Sequence, residues 1–351
     1  MEIQKEVNPV TVTANTWKSA RLFITDRFDS PPVIMRIDDS IVGTLGNFSA
    51  STGKAKSKKT FNVCAIVASA LSNSTVLSYS VSLPSNKRKI LYVDTEQSPF
   101  HCLRLMNRIL RLSGFPVDVH PEQLVFLGLR RYATKDRLKK IEEAIYETEG
   151  LGLVIIDGIR DMVHDINSPG ESTDLITKLM QWTDERQIHI HVVLHLNKGD
   201  DNTRGHLGTE LNNKAETVLQ VTKDEFDKDI SSVKSMFIRD KDFEPFAFRI
   251  NNESLPEEVE NYQPQQSGKK KGFDYSEVSE EKHREALLAI FSPDEALPYG
   301  TLIELLQACY ADIGCKCGKV KTKALKVFLE NKRMIVQGDD KLYRYNPKFY
   351  Y

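Results

Sequence analysis

Residues 48–61 read FSASTGKAKSKKTF, and this stretch decides the fold. A short strand-like run, a loop of small and basic residues and an apolar segment over residues 60–72 are typical of a phosphate loop between a strand and a helix. The standard pattern of such a loop is G-x-x-x-x-G-K-[ST]. Residues 53–60 match it at each fixed position except the second glycine, where Lys58 stands.

The chemistry of this loop predicts a site for ATP and Mg²⁺. Backbone N–H groups of the loop and of the first helical turn can surround phosphate oxygens. Lys59 is expected on the β- and γ-phosphates, and the Thr60 hydroxyl on Mg²⁺. Because Lys58 brings a side chain where glycine leaves φ free, a solvated lysine-rich loop is the alternative. The candidate nucleotide-binding residues are Gly53, Lys54, Ala55, Lys56, Ser57, Lys58, Lys59, Thr60 and Phe61.

Two further apolar runs end in carboxylates. Residues 153–157 read LVIID, a predicted strand that ends in Asp157. At the carboxyl edge of a parallel sheet such an aspartate faces the phosphate loop and can hold a Mg²⁺-bound water. Residues 89–93 form another predicted strand, followed by Asp94 and Glu96. A carboxylate there can orient an attacking water for phosphoryl transfer, and a polar turn at the strand end is the alternative.

Histidines mark a third predicted strand over residues 189–194. His195 follows this run, at the place where a residue that senses the γ-phosphate would lie. A hydrogen-bonded histidine at a strand end is the alternative. His189 and His191 alternate with apolar residues, and we expect both to be hydrogen-bonded within the strand.

Taken in order, these segments resemble the RecA-like ATPases, and among them the group that contains the RepA and DnaB hexameric replicative helicases. The resemblance covers residues 33–250, and the variant GKAKSKKTF also looks like that of ATPases of mobile elements and plasmids. The segments that carry it are GNFSASTGKAKSKKTF, ILYVDTEQS, LVIIDGIRDM, VVLHLNKGDDNTRGHLG and FIRDKDFEPFAFRI. It implies an ATPase that forms a homo-oligomer, with a hexamer as one form, and that binds single-stranded DNA through its core.

The resemblance also implies roles for single residues. Glu96 matches the catalytic glutamate, Asp157 the metal-binding aspartate and His195 the γ-phosphate sensor. Arg204 and the glycine after it match a loop that faces the central channel.

Two basic residues match a pair that reaches the γ-phosphate of a neighbouring subunit. They are Arg239 and Lys241, in the reverse of the family's usual order. Their spacing predicts that both side chains lie on one face of a strand. Two exposed charges balanced by neighbouring acids are the alternative.

Composition divides the chain into segments. Residues 1–32 form an N-terminal extension, and strands alternating with helices over residues 33–250 predict an α/β fold with a mostly parallel sheet. Residues 251–278, rich in Pro, Gln, Glu, Lys and Gly, are predicted to be a linker. Residues 279–351 are predicted to form a winged-helix domain, with helices over 280–291, 300–311 and 319–331 and a hairpin over 334–345.

The third predicted helix of this C-terminal part is basic. Its lysines could contact the phosphates of duplex DNA, although a solvated charged face is the more general outcome. They are Lys319, Lys321, Lys323 and Lys326.

Overall composition limits the class of protein. The chain has 351 residues, 40% of them hydrophobic, and a net charge of −1, so any nucleic-acid binding must come from local patches. It has no apolar run long enough to cross a membrane and no signal-peptide pattern. Five scattered cysteines favour a reducing, cytoplasmic location, and Cys309, Cys315 and Cys317 are expected to be free thiols.

These features predict a Mg²⁺-dependent ATPase that acts on DNA. A non-catalytic DNA-binding regulator with a degenerate phosphate loop is one alternative. An ATPase that loads or partitions other components without unwinding DNA is another.

Overall fold

The computed structural model describes residues 17–196, 203, 205–224, 227–260, 262, 278–292, 295–313 and 318–349. The chain divides into two compact units, Met1–Gln263 and Pro264–Tyr351. Among the described residues, no helix is both long and apolar enough to cross a membrane. Arg204, Cys315 and Cys317, which the sequence singled out, lie outside the described residues.

The first unit is built on a large, mostly parallel sheet. Its strands are β3 (Phe48–Gly53), β6 (Lys89–Asp94), β7 (Leu124–Gly128), β8 (Leu151–Asp157), β9 (His189–His195), β10 (Thr217–Lys223), β11 (Ile230–Ile238), β12 (Phe246–Ile250) and β13 (Pro256–Glu258). They lie in the order β13-β12-β11-β10-β3-β9-β8-β6-β7. The six strands from β10 to β7 in this order are parallel, and β11, β12 and β13 are added at one edge by antiparallel pairing. The mixed α/β fold with a mostly parallel sheet, predicted from the alternation of elements, is confirmed.

Helices cover both faces of this sheet. Apolar residues of α1 and α2 join one core cluster, and those of α3, α4 and α5 join the other. The bounds are α1 (Lys59–Ser72), α2 (Pro99–Leu112), α3 (Thr134–Glu147), α4 (Pro169–Arg186) and α5 (Gly205–Lys214). Because helices shield both faces, β8 is buried along nearly its whole length, which explains its continuous apolar sequence.

A second, small sheet packs against α1. Its order is β2-β1-β5-β4, with β1 (Val33–Ile37), β2 (Ser40–Thr44), β4 (Thr75–Val76) and β5 (Tyr79–Val81). The sequence analysis did not predict β2, β4 and β5. They are short and their stability comes from the core cluster that they share with α1, not from a periodic pattern.

The described residues of the second unit form three helices and a hairpin. They are α6 (Glu280–Ile290), α7 (Tyr299–Asp312), α8 (Lys319–Asn331), β14 (Ile335–Gln337) and β15 (Tyr343–Tyr345), and the two strands pair antiparallel. They enclose an apolar cluster of their own, which includes Leu306 and Leu325. The assignment of this unit as a winged helix stays a prediction.

Two details differ from the sequence-based expectations. The segment predicted as a linker, residues 251–278, contains β13, which extends the large sheet at its edge. In α8, Lys326 is only 9% exposed, its Nζ lies 2.7 Å from Glu330 Oε2, and it lies over the Tyr343 ring. The side chain of Lys326 therefore contacts other residues of the second unit, whereas Lys319 and Lys323 are exposed to solvent.

Candidate nucleotide site

The phosphate loop lies between the end of β3 and the start of α1. Gly53 is the last residue of β3, and Lys59 is the first residue of α1. A Cβ at Gly53 would lie 2.3 Å from the Val221 carbonyl oxygen of β10, so only glycine lets the two strands approach here. The loop turns on a hydrogen bond from the Ser57 N–H to the Lys54 carbonyl. The first turn of α1 thus presents its free N–H groups at the carboxyl edge of the sheet.

Lys59 is buried at the centre of this arrangement. Its Nζ donates to the carbonyls of Gly53 (2.8 Å) and Lys54 (3.0 Å) and lies 3.0 Å from His195 Nδ1. Burial lowers the pKa of Lys59 to about 8, and the nearby Asp157 and Glu96 oppose this shift. The amine therefore remains mostly charged at neutral pH.

Thr60 meets Asp157 across the sheet edge. The Thr60 hydroxyl donates to Asp157 Oδ2 (2.9 Å), and Tyr92 donates to the same oxygen (3.0 Å). Burial, followed by the negative charge of Asp94, raises the pKa of Asp157 to about 6. A partly buried carboxylate beside a second acid is a favourable place for a cation.

Asp94 shapes the turn that carries Glu96. Its Oδ1 accepts the N–H groups of Glu96 (3.0 Å) and Gln97 (2.7 Å), and its Oδ2 accepts from the Gln97 amide (2.8 Å). Asp94 is 1% exposed, whereas the Glu96 side chain is 54% exposed. Asp94 is thus the carboxylate that holds the turn, and Glu96 is the one that faces solvent.

His195 lies between Lys59 and Glu96. Because an ammonium group can only donate, His195 Nδ1 accepts from Lys59 and Nε2 carries the proton. His195 Nε2 lies 3.7 Å from Glu96 Oε1. The nearby His195 ring lowers the pKa of Glu96 more than burial raises it, so Glu96 is ionised at neutral pH.

These groups line a cavity of about 480 Å³. Of the predicted site residues, the cavity brings together Lys56, Ser57, Lys58, Lys59, Thr60, Phe61, Glu96, Asp157 and His195. Gly53, Lys54 and Ala55 are not among the lining residues: Gly53 is packed against β10, and the other two are exposed to solvent.

The cavity also contains residues that the sequence reasoning missed. Arg108 of α2 stacks on Phe61, with 3.8 Å from its Cζ to the ring centroid, and it lines the cavity beside Gln97. An adjoining cavity of about 260 Å³ shares Phe61, Gln97 and Arg108 and is lined further by Arg104. The spacing of Arg104 and Arg108, one helical turn apart, was the available signal.

The basic pair Arg239 and Lys241 is placed differently from the expectation. The prediction that both lie on one face of a strand is wrong, because β11 ends at Ile238 and both residues lie in the connection that follows. Both are exposed, and Arg239 donates to the Lys214 carbonyl (3.1 Å). The described residues that line the cavity do not include them.

His189 and His191 are hydrogen-bonded within the sheet, as predicted, and both are fully buried. His189 Nδ1 donates to the Thr44 carbonyl (2.8 Å), so its Nε2 accepts from Ser49 Oγ (2.7 Å). Ser49 Oγ then accepts from His191 Nδ1 (2.8 Å), and His191 Nε2 accepts from Ser51 Oγ (2.9 Å). Each ring and hydroxyl proton in this row is assigned to a single hydrogen bond. The row therefore fits two neutral histidines.

Comparison with known proteins places the chain in a family. A family model described as AAA domain (AAA_25) matches residues 18–201, slightly more than half of the chain. The chain belongs to this AAA domain family. The matched range contains the phosphate loop, Glu96, Asp157 and His195. This AAA domain protein is thus a nucleotide-binding P-loop ATPase by family, and its mostly parallel sheet is consistent with a RecA-like core.

Other comparisons add little to the family assignment. The crystal structure of the RadB recombinase aligns with 62% of this AAA domain protein and 92% of its own chain, at 16% sequence identity and a TM-score of 0.43. No curated protein sequence matches significantly.

Proposed function

We propose that this AAA domain protein hydrolyses ATP with Mg²⁺ and acts on DNA. The observation that carries the proposal is the meeting of Lys59, Thr60, Glu96, Asp157 and His195 around one cavity. Phosphoryl transfer needs a cation on the phosphates, ligands for Mg²⁺ and a carboxylate that orients the attacking water. These five side chains supply each of those groups.

The cavity fits a phosphate chain. Ser57 Oγ is buried and has no hydrogen-bond partner among the described residues, so it can donate to a phosphate oxygen. Lys59 Nζ is held by two loop carbonyls, which it can leave for the β- and γ-phosphates. The N–H groups of the first turn of α1 add further donors.

The same cavity fits Mg²⁺ bound together with ATP. Thr60 Oγ1 and Asp157 Oδ2 would hold the ion, the carboxylate through a water. No group of three or more His, Cys, Asp or Glu among the described residues could hold a metal alone. Phosphates and water therefore complete the ligands, as Mg²⁺ usually requires. When bound, the ion neutralises charge on the phosphates.

Glu96 is the group that orients the attacking water. It is ionised and largely exposed, so its oxygens can accept a proton from water at the mouth of the cavity. His195 lies beside Glu96 on one side and contacts Lys59 on the other. A γ-phosphate that draws Lys59 away would change this contact, and His195 would thereby sense the nucleotide.

The nucleobase would enter the adjoining cavity of about 260 Å³. Phe61 directly follows the Mg²⁺-binding threonine, so the wall shared by the two cavities starts beside the phosphates. Arg108 lies over the Phe61 ring, and a guanidinium plane is a favourable stacking surface for a base.

The proposed work on DNA involves both units. The core would bind single-stranded DNA within a homo-oligomer, with a hexamer as one form. The C-terminal unit, as a winged helix, would bind duplex DNA through Lys319 and Lys323. Arg239 and Lys241 are exposed, as a pair that acts on a neighbour's γ-phosphate must be. A replicative helicase-like or mobile-element process is the proposed setting.

A non-catalytic DNA-binding regulator is the second candidate. Lys58 favours it, because a lysine stands where the loop has a φ of 68° and where glycine is the usual residue. The intact set of Lys59, Thr60, Glu96 and Asp157 favours the ATPase.

ATP turnover measured with and without single-stranded DNA tests the proposal. We expect Mg²⁺-dependent turnover that rises with DNA and is lost in Lys59→Ala. Equal turnover in Lys59→Ala and the parent would refute the assignment of the phosphate loop. ATP binding without turnover would favour the regulator.

A further inference from the structure

Lys58 adopts the backbone conformation that explains why phosphate loops have glycine at this position. It is left-handed, with φ 68° and ψ 28°, and it directly precedes the first residue of α1. For residues other than glycine, steric strain lowers the population of this backbone conformation by about a factor of ten. The chain therefore has a lysine at a position whose backbone conformation favours glycine.

The side chain of Lys58 turns toward the connection between β10 and β11. Lys58 Nζ donates to the main-chain carbonyl of Asp229, with a distance of 2.5 Å. Burial and then the charge of Lys223 lower the pKa of Lys58, while Asp229 and Asp227 oppose the shift. The ammonium group thus lies on a carbonyl oxygen with two carboxylates nearby.

The acceptor belongs to a turn whose described residues are linked by hydrogen bonds. We call residues 224–230 the β10–β11 turn; residues 225 and 226 lie outside the described residues. The Asp229 N–H donates to Asp227 Oδ1 (2.9 Å), and the Ile230 N–H donates to the Asp227 carbonyl (3.1 Å). The Asp224 N–H donates to the Ile230 carbonyl (3.1 Å). The carbonyl that Lys58 contacts is therefore held at a defined place beside the loop.

We propose that Lys58 is a positioning residue that fastens the phosphate loop to the β10–β11 turn through its bond to the Asp229 carbonyl. The bond keeps the loop N–H groups in their binding arrangement before nucleotide enters. The proposal rests on nucleotide binding at this loop. A different role, in which Lys58 contacts phosphate directly, predicts different results in the experiment below.

Hydrogen exchange of the nucleotide-free protein is the first measurement. In Lys58→Met, which keeps the side-chain length and removes the donor, we expect faster exchange in both the loop and the β10–β11 turn. Lys58→Arg keeps a donor and should restore slow exchange. Lys56→Met is the control, because Lys56 is exposed and also has a positive φ (65°), and it should leave exchange in the turn unchanged.

Nucleotide binding is the second measurement. Lys58→Met should weaken ATP and ADP binding by the same factor, about five- to tenfold, since one hydrogen bond to a charged donor is lost. Lys58→Gly removes the backbone strain together with the bond, so its affinity should stay within about threefold of the parent. Lys228→Met, on the same turn, should leave binding unchanged.

The outcomes separate this proposal from the proposed function. Unchanged exchange in nucleotide-free Lys58→Met, with ATP affinity lowered much more than ADP affinity, would overturn the positioning role in favour of a phosphate contact. Unchanged exchange and unchanged affinity would also overturn it. If the parent binds no nucleotide but exchange is faster in Lys58→Met, the bond between Lys58 and the Asp229 carbonyl is confirmed as a structural contact. The proposed function is then wrong. Thermal unfolding of each variant identifies any that is merely misfolded. If Lys58→Met is misfolded, Lys58→Gly, which also lacks the bond, should show the faster exchange of the β10–β11 turn.

Discussion

Acidification should destabilise the first unit through its buried histidine pair. His189 and His191 are both fully buried, and each nitrogen in their hydrogen-bonded row has a fixed donor or acceptor role. A further proton on either ring would leave a serine hydroxyl proton without an acceptor. Burial lowers the pKa of His189 to about 4 and that of His191 to about 3, from 6.5.

The sign and size of the effect follow from these shifts. The unfolded chain takes up protons as the pH falls below 6.5, whereas the folded histidines stay neutral, so stability is lost as the pH falls. When the pH falls from about 7.5 to about 5.5, each histidine lowers the free energy of unfolding by about 1.4 kcal/mol, and the pair lowers it by about 3 kcal/mol. The pKa values of both histidines in the folded state lie below this pH range. The loss of stability therefore depends mainly on the histidine pKa in the unfolded state.

Urea unfolding at the two pH values measures the loss. Trp182 is 1% exposed and belongs to the core cluster that includes residues of β9. Its fluorescence therefore reports the unfolding of the first unit. In His191→Gln, the drop in the free energy of unfolding should be smaller than in the parent by about 1.4 kcal/mol. The exposed His164 provides the control, and His164→Gln should show the parent's drop.

Comparison between variants removes the contribution of other groups. Asp157, whose pKa is raised to about 6, gains a proton over the same range and favours the folded state, but it does so equally in every variant. An equal drop in the parent and in His191→Gln would refute the assignment of neutral, buried histidines.

Three further predictions concern the base, the neighbouring subunit and the second unit. Arg108→Met should weaken ATP binding severalfold and leave tripolyphosphate binding unchanged, with Arg111→Met as the control; equal losses for both ligands would rule out a base-stacking role. Arg239→Ala should bind ATP but not hydrolyse it, and mixing it with Glu96→Gln should restore partial turnover; no recovery in mixed oligomers would argue against action in trans. A fragment of residues 275–351 should fold alone and bind duplex DNA weakly, with steep salt dependence, and a folded fragment without DNA affinity at low salt would instead indicate a protein-interaction module.

The sequence predicted the parts of the site that follow from strand order. Lys59, Thr60, Glu96, Asp157 and His195 all stand at carboxyl ends of strands or just beyond them, and parallel strands bring such positions to one edge. The local pattern around each residue was therefore enough to predict which side chains would meet.

Contacts between distant segments could not be predicted in this way. The Asp229 carbonyl that binds Lys58 belongs to a turn more than a hundred residues away, and a main-chain acceptor leaves no trace in the side-chain pattern. Arg108 reaches the cavity only because α2 packs beside α1. The sequence grouped Lys326 with three other lysines that could contact DNA, but Glu330 and Tyr343 of its own unit contact it.

The most direct test of the central claim is single-turnover ATP hydrolysis by Glu96→Gln with Mg²⁺ present, measured together with ATP binding. The substitution keeps the shape of the side chain and removes its negative charge. If Glu96 orients the attacking water in a catalytic ATP site, ATP binding stays close to that of the parent while the rate of hydrolysis falls by about 10²-fold or more. Undiminished hydrolysis in Glu96→Gln would contradict the account.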